Sequence, residues 1–168
     1  MAKTCDNKSV GVIVRKDGKF LLIKRRNFPV SYACVAGHLD GDTYDDAAQK
    51  EASEEIGITI KEMNGVWSGT LPNPCKRDGG HGHTWKVFEV TKWDGTPHAG
   101  SDAKEAFWAS PEELAALTAR TLSFEKTLGI PLHDLGNFTN RVSENADWKN
   151  NPGFEPVWTH IFREIGII

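Results

Sequence analysis

The sequence predicts a mixed α/β domain. Three observations carry this. Apolar, β-branched runs lie on both sides of two helix-like segments, the first two runs meet at a short Asp-Gly turn, and no repeat or linker divides the chain. Strands that precede, flank and follow helices exclude a purely parallel βαβ array. A chain of 168 residues is long enough for one domain with a sizeable core. With 39% hydrophobic and 26% charged residues, it has the composition of a soluble globular protein. Residues 1–168 are therefore expected to form a single domain, with 118–168 a C-terminal extension packed on it.

Ser9–Val14 and Lys19–Arg26 flank RKDG and read as a β-hairpin. Pro29 breaks the following segment into a loop, and Tyr32–Ala36 reads as a short apolar strand. A helix is predicted over Thr43–Ile56. Asp42 or Thr43 can cap it, Asp45 and Asp46 suit the positive end of its dipole, and Tyr44, Ala48, Ala52 and Ile56 recur every four residues. Gly57 supplies the stop. Thr59–Ser68 and Thr84–Thr91 read as strands around a long irregular loop, Gly69–His83, of the kind that often carries function. Ala106–Ala109 reads as another strand. Ser110-Pro111-Glu112-Glu113 opens a second helix, with serine at the N-cap, proline at N1 and glutamate at N3. Asp134–Asn151 is polar and reads as irregular or weakly helical. The closing PVWTHIFREIGII is apolar enough to dock on the domain.

The charge is unevenly placed. Net charge is only −3, so no global basic field points to nucleic acid, yet Asp40–Glu55 alone carries seven carboxylates and one lysine. Glu51, Glu54 and Glu55 stand at i, i+3 and i+4, on one helix face, where like charges repel. A hard divalent cation such as Mg²⁺ or Mn²⁺ prefers carboxylate oxygen and would remove the repulsion. The competing reading is a solvated acidic face. A glycine-containing loop immediately before the helix, where backbone can approach a ligand closely, favours the metal.

GHLDGDTYDDAAQKEASEEIGI resembles the signature of the Nudix hydrolases, Gx5Ex7REUxEExGU, with U a bulky apolar residue. Glu51, Glu54, Glu55, Gly57 and Ile58 match in register. Lys50 stands for the arginine, Ala52 for a bulky aliphatic residue and Asp42 for the first glutamate, and the loop after Gly37 is one residue short. The order of elements over roughly Val10–Leu117 is also similar to the family's.

The resemblance implies an α/β/α sandwich with a mixed central sheet. It implies a Mg²⁺-dependent pyrophosphohydrolase, with Mn²⁺ as the alternative ion, that cleaves a nucleoside diphosphate linked to another moiety. ADP-ribose-like compounds, nucleotide sugars, dinucleoside polyphosphates, nucleoside triphosphates and capped RNA ends all remain open, the last disfavoured by the negative net charge. Pro72 and Pro74 stand near the position where ADP-ribose hydrolases carry a proline. The metal ligands it implies are Glu51, Glu54 and Glu55, with the Gly37 carbonyl and Glu105 as further candidates. Either Glu51 or Glu55 would act as general base. Arg25, Arg26 and Lys50 are candidates for holding phosphate, since an arginine fork matches it. A nucleotide-sensing domain with weak turnover is the alternative function, and a plain acidic interaction module a third. Similar proteins commonly form homodimers.

Cys75, His81 and His83 form C-x5-H-x-H, which lacks the fourth ligand and paired spacing of a structural zinc site; Cys5 and Cys34 are not obviously near. Histidines lining a substrate cleft, or a plain surface loop, are the readings left open. Trp67, Trp85 and Trp108 are expected in the core, and Phe28 is a candidate for stacking on a base. The three cysteines suggest no disulfide framework and fit a reducing compartment. MAKTCDNKSV has no apolar core for a signal peptide, and no segment is apolar enough to span a bilayer. The cytoplasm is the expected location, with a small-molecule nucleotide as partner, no membrane, and nucleic acid disfavoured.

Overall fold

The computed structural model describes residues 3–168; Met1 and Ala2 of the expected domain lie outside the described residues. The chain forms β1 (Lys8–Lys16), β2 (Lys19–Arg25), β3 (Tyr32–Ala33), β4 (Val35–His38), α1 (Tyr44–Ile56), β5 (Thr59–Leu71), β6 (His83–Asp94), β7 (Ala103–Ala109), α2 (Pro111–Leu128), α3 (Leu135–Glu144), α4 (Ala146–Asn150) and α5 (Pro156–Glu164). Asp17 and Gly18, both at positive φ (52° and 75°), make the predicted two-residue turn between β1 and β2.

β1 lies at the centre of a mixed sheet. It runs parallel to β6, from Lys8 opposite Thr84 to Val14 opposite Val90, and β6 pairs antiparallel with β5. The other edge of β1 is shared. Its first half pairs with β4, from Ser9 opposite His38 to Val12 opposite Val35, and its end pairs with β2. β2 in turn carries β3 and β7. The predicted strand Tyr32–Ala36 is therefore two short strands. The chain leaves β2 at Ala33 and joins β1 at Val35, because neither neighbour borders the whole segment.

Strand alternation divides the core into two layers. Val10, Val12, Val14, Leu21 and Ile23 face α1, which presents Ala47, Ala48, Ala52 and Ile56. Ile13, Leu22, Trp85 and Val87 face the later helices, which contribute Leu114, Phe138, Trp148, Trp158 and Phe162. The expected α/β/α sandwich thus forms. Gly11 faces Trp158 so closely that a Cβ there would stand 2.5 Å from the indole, so the α5 tryptophan seats directly on sheet backbone.

Local signals set the helix ends. Thr43 Oγ1 accepts from the Asp46 N–H (3.1 Å), and Gly57 closes α1 at φ 69°. Ser110 and Glu113 complete a capping box around Pro111. One expectation needs correction, and one open reading resolves. The strands around the long loop extend to Leu71 and begin at His83, so the loop shrinks to residues 72–82; backbone pairing of Gly69 with Trp85 and Thr70 with Thr84 outweighs the poor strand propensity of glycine. Asp134–Asn151, read as irregular or weakly helical, is helical. Leu135, Phe138 and Val142 lie on one buried stripe of α3, and Asn145 caps α4 through the N–H groups of Asp147 and Trp148. The polar residues that obscure this stripe in the sequence form its exposed side. Of the tryptophans expected in the core, Trp85 is buried, whereas Trp67 and Trp108 are only partly covered. Among the described residues no helix is long and apolar enough to cross a membrane.

Candidate active site

β4 ends at His38, and the chain must turn back to start α1 at Tyr44. Asp40 and Gly41 take positive φ (51° and 96°), and the Asp42 N–H donates to the Leu39 carbonyl (3.0 Å). Arg77 grips Asp40 through both of its terminal nitrogens (2.6 and 3.4 Å), which fixes the turn to the 72–82 loop. Gln49 pins the other side of α1 to β5, accepting from and donating to the backbone of Ile60 (3.1 and 2.9 Å).

Held in this way, the second half of α1 lies against β4. Glu51, Glu54 and Glu55 line one cleft of about 580 Å³ with Gly37 and Lys50. The Glu51 carboxylate sits over Gly37, and a Cβ at residue 37 would overlap its carboxyl atoms. Glu55 Oε2 is buried with no hydrogen-bond partner. Burial, followed by the adjacent Glu54 charge, pushes the Glu51 carboxyl up to about 7. Burial likewise pushes Glu55 up to about 8, with Glu51 adding to the rise and Arg25 opposing it. Acids held this uncomfortably, one with an unpartnered oxygen, fit a hard divalent cation. Replacing Gly37 with alanine is expected to displace Glu51 and weaken Mn²⁺ binding about 10–100-fold, the range for disturbed supporting groups at metal sites; a Mn²⁺ titration followed by electron paramagnetic resonance would read it.

The other sequence candidates divide. Arg25 lines the cleft, but its guanidinium is already committed, with Nη1 3.2 Å from Glu155 Oε1 and Nη2 donating to the Phe28 carbonyl (3.0 Å). Glu155 is only 4% exposed, so Arg25 pairs with a buried acid while it also lines the cleft. Arg26 is exposed and donates through Nε to the Ala103 carbonyl (3.2 Å), outside the cleft lining. Glu105 is not brought to the glutamates. It lies on β7 opposite Lys24 and lines a different depression with Tyr32, Phe107 and Arg120. Strand alternation aims it elsewhere, and Asp102, three residues earlier, lines the cleft and adds its charge to both Glu51 and Glu55. Asp42 does not line the cleft.

The 72–82 loop contributes Asn73, Pro74, Cys75 and Lys76 to the same cleft. Lys76 Nζ lies 4.4 Å from the centroid of Phe28, which also lines it. His83 lines the cleft too, but His81 is exposed, with Nδ1 2.7 Å from the Gly79 carbonyl. The residues that sequence reading missed, Asp102, Lys76 and Glu155, carry no motif of their own; Asp102 was signalled only by sharing an acidic loop with Glu105.

Comparison with known proteins agrees with this geometry. The chain is 36% identical over 104 residues to an ADP-ribose pyrophosphatase of Methanocaldococcus jannaschii, a match covering 58% of each protein. It is 26% identical over 111 residues to a NAD-capped RNA hydrolase, NudC, of Chromobacterium violaceum, covering 63% of this chain and 38% of that one. The chain thus spans well under two thirds of the length of these relatives. The crystal structure of a MutT NUDIX hydrolase from Burkholderia pseudomallei superposes with a TM-score of 0.56 at 20% identity, covering 64% of this chain and 84% of that one, a likeness of fold. The NUDIX domain model matches residues 6–128, and with the acidic half of α1 seated on Gly37 the chain belongs to the Nudix family.

Proposed function

We propose that the protein is a divalent-metal-dependent pyrophosphohydrolase that cleaves a nucleoside diphosphate linked to another moiety, with ADP-ribose-like compounds the first substrates to try. The observation that carries this is the convergence of Glu51, Glu54, Glu55 and Gly37 on one cleft. Its volume, about 580 Å³, lies in the range of small-molecule sites. The similarity to an ADP-ribose pyrophosphatase supports the substrate class. The three free cysteines suit a reducing compartment and support a cytoplasmic location.

A bound Mg²⁺ would neutralise phosphoryl oxygens and acidify water. Glu51, Glu54 and Glu55 would hold it, with the Gly37 carbonyl as a further ligand. The residues supply the remainder. Glu51 or Glu55, through a carboxylate oxygen left free of the ion, would take a proton from water. Lys50 and Lys76, both lining the cleft, attract the diphosphate. Phe28 offers an apolar face to a base.

A panel of nucleoside diphosphate derivatives, assayed with Mg²⁺ for phosphate or mononucleotide release, tests this. Turnover is expected on at least one compound, with Glu54→Gln lowering it at least about 100-fold, the upper range for disturbed metal shells. Undiminished turnover in Glu54→Gln would remove the metal-site assignment. Tight binding without turnover in the wild type would favour a nucleotide sensor.

A further inference from the structure

At the rim of the same cleft, beside the acidic residues, one cluster of side chains has no role in the proposed hydrolysis. Cys5 precedes β1, His38 ends β4, Cys75 lies in the 72–82 loop and His83 begins β6. Each offers one ligand atom, and the atoms all lie within 4.8 Å of one another. Cys5 Sγ is 3.1 Å from His83 Nε2 and 3.5 Å from His38 Nε2, and Cys75 Sγ is 3.4 Å from His38 Nε2. A tetrahedral ion with bonds of about 2.3 Å to sulfur and about 2.0–2.1 Å to nitrogen requires ligand atoms about 3.3–3.8 Å apart. The spacing therefore approximates that of a coordination shell.

The surroundings support the same reading. The Asn7 N–H donates to Cys5 Sγ (3.3 Å) and the Arg77 N–H donates to Cys75 Sγ (3.4 Å). Each sulfur thus receives the backbone N–H two residues downstream, which stabilises a thiolate more than a neutral thiol. The two imidazole rings meet edge-on, 5.1 Å between centroids at 80°, with both Nε2 atoms turned to the sulfurs. Asn73 backs His83: its amide is 2.8 Å from Nδ1, and its Oδ1 accepts from Trp85 Nε1 (3.0 Å). Oδ1 is held by Trp85 Nε1 and the amide nitrogen faces Nδ1, so a metal on Nε2, which places the ring proton on Nδ1, requires this amide to reorient.

We propose that Cys5, His38, Cys75 and His83 bind one zinc ion in a closed tetrahedral site. Two thiolates and two imidazoles select zinc, whereas the glutamates of α1 select a hard ion. All four positions are filled by protein, so the ion is structural and leaves no place for water or substrate. It clamps the N-terminal segment, the 72–82 loop and the two strands at the rim of the cleft. His38 directly follows Gly37, so the clamp also fixes the backbone on which Glu51 rests. Arg77 on Asp40, and the Cys5 N–H on the Asp78 carbonyl (2.8 Å), hold the same segments together from outside.

The test uses the full chain, purified without a histidine tag under reducing conditions and analysed for metal by mass spectrometry. One zinc per chain is expected. Replacing the zinc with Co²⁺ should give tetrahedral absorption and a thiolate-to-cobalt charge-transfer band. Cys5→Ser and Cys75→Ser should each weaken zinc binding by more than the about 10–100-fold typical of supporting groups. Glu51→Gln with Glu54→Gln should retain the zinc, which separates this site from the acidic one. Wild-type protein that stays zinc-free after reconstitution overturns the proposal. So does a Cys5–Cys75 disulfide, seen as a mass lower by two hydrogens, or a cobalt spectrum of oxygen ligation alone. If the cysteine variants do not fold, the wild-type cobalt spectrum still decides.

Discussion

At pH 8 and without metal, Glu55→Gln should be more stable than the wild-type protein, and with Mg²⁺ it should lose turnover. The Glu55 carboxyl is pushed from 4.5 to about 8, first by burial and then by Glu51. In the unfolded chain it is an ordinary glutamate. Between these values the native state holds a proton that the unfolded state has released. Stability from this group is therefore complete below about pH 4.5 and is lost as pH rises through about 8. The penalty that glutamine removes is of the order of 2–4 kcal/mol at pH 8. Denaturant unfolding from pH 5 to 8 should show wild type and variant diverging as pH rises. Mg²⁺ should then stabilise the wild type by mass action and leave the variant nearly unchanged. Parallel pH profiles would show that Glu55 is not held as a buried acid.

Trp158→Ala should cost about 3–5 kcal/mol, the range for removing a large aromatic side chain from a packed core. Trp158 is fully buried on α5, 5.9 Å from both Trp85 and Phe162 between ring centroids, and it covers Gly11 of the central strand. Its Nε1 is buried without a hydrogen-bond partner. Trp158→Phe should consequently lose much less, since it also removes an unsatisfied donor. Both variants should unfold in one transition, because we take residues 118–168 as part of the same cooperative unit as the sheet. The family match ends at residue 128, yet Phe138, Trp148, Trp158 and Phe162 all belong to the core on that face. A chain ending at Leu128 should therefore fail to fold, which limited proteolysis and circular dichroism would show. A stable truncated domain would make the extension an accessory.

Where interactions are local, the elements were legible. Thr43 and Gly57 bound α1, Asp17-Gly18 turns the first hairpin, and Ser110 with Glu113 caps α2, each by contacts among residues a few positions apart. The spacing of Glu51, Glu54 and Glu55 needs only helical periodicity to become a shared face. The α3 stripe obeyed the same rule, but the polar composition around it concealed Leu135, Phe138 and Val142.

By itself, then, the sequence determined the helix that carries the acids, the strand segments before and after it along the chain and the chemistry those acids favour, because backbone periodicity and capping act over a few residues. The tertiary structure decided what completes the cleft. It spent Arg25 on the buried Glu155, 130 residues away, and brought Asp102 rather than Glu105 to the glutamates. It also gathered Cys5, His38 and His83, with Cys5 separated from the two histidines by 33 and 78 positions. No spacing rule reaches that far. Those residues meet only because β4 and β6 flank β1 in one sheet, and the fold of the whole chain sets that adjacency.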